Sequence, residues 1–151
     1  MNETPVQKSI VNKSLRLKLA VAVLGWLIFV LGVDPGLFGM DRSPVVGFVQ
    51  IAFFLVGLAI ICLGGFLTLN TLWAGREKTI VADIGYRIVA TGYVIAAASG
   101  MADVFGFGSQ PFPSTPYFGQ WQALGVIAGQ IFIIIGFIMM IPRPGKLPAQ
   151  A

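Results

Sequence analysis

Apolar residues in this chain fall into four long runs, each closed by a short polar or turn-forming stretch. The first runs from about residue 17 to Val33 and stops at Asp34-Pro35-Gly36. The second covers about 45–73 and ends ahead of Arg76-Glu77-Lys78. The third covers about 80–101, and the fourth about 121–141, where Pro142-Arg143-Pro144-Gly145 follows. A helix crossing the hydrocarbon core needs about 20 mainly apolar residues. The pattern therefore predicts an all-α, four-transmembrane-helix bundle. Residues 1–16 then form a basic N-terminal segment, 17–141 the membrane domain, and 142–151 a disordered tail.

The second run is longer than a bilayer requires, roughly 40 Å at 1.5 Å per residue, so it should tilt or pass beyond the interface. Gly64-Gly65 inside it would allow a bend or a close helix contact, and Trp73 at its end suits an interfacial anchor. The first run follows basic residues, as the core of a signal peptide would. It lacks an A-x-A-like cleavage site, so a retained helix is the better reading.

Charge sets the orientation. Lys8, Lys13, Arg16 and Lys18 precede the first run, Arg76 and Lys78 lie between the second and third, and Arg143 and Lys146 follow the fourth. The two remaining loops hold a single basic residue, Arg42. Lys and Arg concentrate on the cytoplasmic side of short loops, which places both termini inside a cell (inner) membrane. The formal charge of +4 thus reflects topology. No basic stripe interleaved with aromatics indicates nucleic acid.

Composition narrows the chemistry. Of 151 residues 56% are hydrophobic and 11% charged, well under the usual quarter of charged residues in a soluble domain. There is no histidine and one cysteine, Cys62. That excludes histidine general bases, His-ligated haem, the usual zinc sites and iron–sulfur clusters. Cys62, in mid-run, reads as a packing residue. No G-x-S-x-G, H-E-x-x-H, P-loop or dinucleotide fingerprint occurs. The expectation is a non-catalytic chain, with no cofactor or metal called for.

Three features are candidate sites. Asp83 and Arg87 stand four apart on one face of the third helix, and an ionisable group inside a span is a functional candidate. A mutually neutralised pair with Arg87 reaching to the headgroups is the plainer alternative. Gly85 and Gly92 on the third helix, and Gly125, Gly129 and Gly136 on the fourth, form small-residue faces suited to helix packing within the chain or against another. Phe105, Phe107, Phe112, Tyr117 and Phe118, set among glycines and prolines in the loop before the fourth helix, would lie on the membrane surface or dock a partner. Gln50 lies near the outer end of the second run, and Gln130 about a third of the way into the fourth.

Each half of the chain reads as span, breaker loop, span. The order Gly32, Asp34, Phe38-Gly39, Pro44, Gly47, Gln50 recurs as Gly100, Asp103, Phe105-Gly106, Pro113, Gly119, Gln120. Turn-forming residues favour loops anywhere. A real duplication would give two parallel hairpin repeats about an axis normal to the membrane, with Asp34 and Asp103 in equivalent places.

Three functions fit. The first is a structural or accessory subunit, with the lipid bilayer and other membrane subunits or further copies of itself as partners. The second is a small oligomeric transporter or channel with Asp83 and Arg87 at its cytoplasmic mouth. The third is a lipid- or quinone-contacting protein, which needs no ionisable site.

Overall fold

The computed structural model of the chain describes residues 5–39, 47–73, 77–107 and 119–142. Four α-helices make up the described fold: α1 Pro5–Val33, α2 Phe48–Leu72, α3 Ile80–Gly100 and α4 Gln120–Met140. Each contains a stretch long and apolar enough to cross a membrane. In α1 that stretch is Lys13–Val33, so the helix extends into the basic segment that precedes the first run. Residues 143–151, expected to be disordered, lie outside the described residues.

Local chemistry fixes the ends. Asp34 accepts a hydrogen bond from the Gly36 N–H at 3.0 Å and opens a 3-10 turn, Pro35–Phe38, that halts α1. Thr79 caps α3 by accepting from the Ala82 N–H at 3.3 Å, and Asp83 in the first turn complements the helix dipole. Gln122, three residues past the glycine cap of α4, accepts from the Gly119 N–H at 2.6 Å.

The helices pair as two tight antiparallel hairpins, α1 with α2 and α3 with α4. The hairpins meet chiefly where α2 lies against α3, whereas α1 and α4 barely touch. Glycine permits both pairings. A Cβ built on Gly25 would sit 2.7 Å from the Ile61 backbone nitrogen, and one on Gly64 2.6 Å from that of Ala22. In the second hairpin a Cβ on Gly92 would meet the Gly129 carbonyl oxygen at 2.5 Å, and the converse distance is the same. Gly85 and Gly136 oppose one another likewise, at 2.7 and 2.6 Å. Backbones this close exclude any larger side chain.

The bundle consequently has small residues at its closest helix contacts, with large apolar side chains both in the core and over the outside. Ala96 is fully buried among Phe54, Leu58, Val89 and Ile133, with Cys62 partly buried against the same cluster. Val23, Trp26, Leu63, Val94, Ile134 and Ile138 point outward and are exposed.

Several glycines and turns recur at matching places in the two hairpins. A displacement of 67 residues carries Gly25, Gly32, Phe38 and Gly39 onto Gly92, Ser99, Phe105 and Gly106. Gly39 and Gly106 both have positive φ, 68° and 78°. Beyond the loop the displacement becomes 72, carrying Gly47, Gln50, Gly57 and Gly64 onto Gly119, Gln122, Gly129 and Gly136. Gly57 packs on Phe29 and the Gly25 carbonyl as Gly129 packs on Ala96 and the Gly92 carbonyl. Gly47 and Gly119 are both helix caps. This register pairs Gln50 with Gln122 rather than Gln120, and Gly32 with Ser99 rather than Gly100. Asp34 and Asp103 are therefore not equivalent: Asp34 is an exposed cap, and Asp103 lies buried two residues further on.

Candidate functional site

Asp83 and Arg87 do meet. Arg87 Nη2 lies 3.2 Å from Asp83 Oδ2, along the outer surface of α3, with the side chains 59% (Asp83) and 77% (Arg87) exposed. The spacing that puts both on one face also lets them neutralise one another. Asp83 borders a cavity of about 250 Å³ at the basic end of the bundle, shared with Asn70, Lys78 and Tyr86. Lys78 Nζ stands 5.6 Å from the Phe66 ring centre, within cation–π range, and that ring tilts against Tyr86 at 4.8 Å.

Trp73 does not reach an exposed interface. It is buried, and its Nε1–H donates to the Met140 carbonyl at 3.0 Å. The last carbonyls of a helix have no partner within it, so this bond closes the end of α4 from the end of α2. At the same end Lys18 Nζ donates to Thr71 Oγ1 at 2.6 Å, joining α1 to α2.

All five glycines of the small-residue faces serve packing within the chain. Gly85, Gly92, Gly129 and Gly136 hold α3 to α4 as described, and a Cβ on Gly125 would collide with the Ser99 hydroxyl. Of the aromatic loop, Phe105 and Phe107 are exposed, the latter 88%. Phe112, Tyr117 and Phe118 lie outside the described residues.

At the opposite end two groups that the sequence does not single out as sites are buried. Asp103 is 6% exposed and Gln122 5%. Asp103 Oδ1 and Gln122 Nε2 have no hydrogen-bond partner among the described residues. The burial of Gln122 follows from its place on the inner face of α4, four residues before buried Val126, a signal present in the helical spacing.

Between the hairpins, at this same end, lies a second cavity of about 240 Å³. Gln50, Ile51 and Phe54 of α2 form one wall, and Ala123, Val126, Ile127 and Gln130 of α4 the other. Gly32 and Val33 of α1 complete it. The α4 wall is one face, at spacings of three and four. Gln50 Nε2 donates to the Val33 carbonyl at 3.4 Å, a long bond at the mouth. Gln130 is the eleventh of the 21 residues of α4, hence at the middle of the helix and further along it than expected. Its carboxamide makes no hydrogen bond among the described residues.

No group of three or more metal-ligating side chains occurs among the described residues. No protein-family model matches the chain, and neither a curated protein nor a solved structure matches it.

Proposed function

We propose that this is an integral protein of the cell membrane, crossing four times with both termini cytoplasmic, and that it acts as a non-catalytic structural or accessory subunit. The observation that carries the reading is the distribution of side-chain size. Glycine and alanine line the closest contacts within each hairpin, while large apolar side chains cover the outside of all four helices. An apolar surface of this extent suits lipid and neighbouring membrane subunits and would aggregate in water. Among the described residues, Lys13, Arg16, Lys18 and Lys78 stand at the end where α1 and α3 begin, as expected of cytoplasmic segments.

Two copies of one helical hairpin account for the matched glycines, helix caps and glutamines, and we read the fold as parallel repeats. Because the glycine faces hold the hairpins together internally, the partner surface in this reading is the large apolar exterior, with exposed Phe105 and Phe107 at the outer end.

Native mass spectrometry of the complex extracted in mild detergent from its own membrane tests the subunit role. Foreign chains at fixed stoichiometry are expected. A homo-oligomer with no foreign chain would contradict it and favour the transporter reading, to be pursued through Asp83 and Arg87.

A further inference from the structure

We infer that the cavity between α1, α2 and α4 binds a membrane-dissolved molecule with an apolar ring and a carbonyl oxygen, of the quinone kind, through Gln130. The inference rests on the membrane-spanning reading. Its first support is a break in the correspondence between hairpins. In a two-fold arrangement the contact of α2 with α3 has a counterpart in α4 with α1. The first is closed, and the second is barely made, leaving about 240 Å³ where packing would be expected.

The second support is what stands there. The 72-residue displacement carries Leu58, buried in the core at 4% exposure, onto Gln130. Where the first hairpin fills its place with an apolar side chain, the second offers a carboxamide to an open crevice. At mid-span water is scarce, and a polar group without a partner is costly there. An amide supplies both a donor and an acceptor, so the occupant that satisfies it carries a carbonyl or hydroxyl group at that depth. Phospholipid headgroups lie at the interface, far from Gln130. Apart from Gln50, whose amide is turned to the Val33 carbonyl at the mouth, the lining around Gln130 is apolar, chiefly Ile51, Phe54, Val126 and Ile127. A dry apolar cavity of about 150 Å³ takes a benzene ring. This larger space holds a substituted six-membered ring and the start of its tail, which leaves past half-exposed Ile127 into lipid.

The test uses the full chain in phosphatidylcholine nanodiscs, with circular dichroism to verify helical insertion of each variant. The probe is a photoactivatable azidobenzoquinone with a decyl tail. Expected is saturable labelling of the segments holding Phe54 and Ile127, competed by excess unlabelled decylquinone and reduced at least fivefold by Gln130→Leu. Ile127→Trp, a change at the exposed rim, is expected to reduce it as much by narrowing the mouth. Labelling spread over the outward faces of all four helices overturns the inference, as does labelling unchanged in Gln130→Leu. A bound phospholipid, seen by native mass spectrometry and not displaced by decylquinone, overturns it in favour of an acyl-chain groove. Failure of the wild-type chain to insert overturns the membrane reading along with it, whereas insertion without binding overturns this inference alone.

Discussion

Trp73 donates its indole N–H to the carbonyl of Met140, 67 positions along the chain, and the bond is buried. It ties the end of α2 to the end of α4 and so couples the two hairpins at the basic end of the bundle. Their other contacts run mainly through α2 and α3, and one well-placed bond therefore helps fix how the hairpins dock.

Replacing Trp73 by Phe should keep most of the buried ring and leave the Met140 carbonyl without this donor. The expected loss is about 1–3 kcal/mol, the cost of an unsatisfied buried group. Unfolding by denaturing detergent, followed by circular dichroism, reads it. A Trp73 that merely anchored the chain at a lipid interface would give no comparable loss.

Gly129→Ile should be among the most damaging single changes. Its side chain would enter the space taken by the Gly92 carbonyl and the Ala96 backbone. Overpacking of this kind costs about 1–3 kcal/mol and sometimes more. Gly47→Ala, at a cap with ordinary negative φ and nothing within 4 Å of its added Cβ, should change stability by well under 1 kcal/mol. Equal effects in the same detergent titration would contradict the packing described.

Asp83→Asn and Arg87→Gln should each shift unfolding only slightly. The pair is mostly exposed, and exposed pairs contribute about 0–1 kcal/mol. A loss of several kcal/mol from either would mean that the pair is enclosed in the assembled protein, and would revive a role for it in a translocation path.

The matched turns give a further check. Gly39 and Gly106 hold corresponding left-handed positions with open space around them, so alanine meets only the backbone cost of roughly 1–2 kcal/mol. Similar losses in Gly39→Ala and Gly106→Ala are expected. A large difference between them would count against equivalent hairpin turns.

The four helices are legible in the sequence because hydrophobic run length and proline or glycine breakers are local properties. The Asp83–Arg87 contact is legible for the same reason, since a spacing of four suffices to bring the two together. Trp73 is not, because its partner lies on another hairpin and aromatic residues at a span end suit an interface equally well. The likeness of the two hairpins is visible in outline, but the register of the matching glycines is not. The second connecting loop is five residues longer, so a comparison of motifs in order pairs Gln50 with Gln120 and Asp34 with Asp103, whereas the opposed glycines pair Gln50 with Gln122. The cavity beside Gln130 depends on the contact that α1 and α4 do not make, which no single helix encodes.

Site-directed labelling checks the proposed four-span membrane topology, with both hairpin turns outside. In a Cys62→Ala background, which removes the chain's one cysteine, single cysteines are placed at exposed Lys13, Leu37, Lys78 and Phe107. Intact cells are treated with a membrane-impermeant maleimide. Labelling is expected at 37 and 107 in intact cells, and at 13 and 78 only after permeabilisation. Labelling of 37 and 107 from opposite sides, or of all four positions in intact cells, would contradict it.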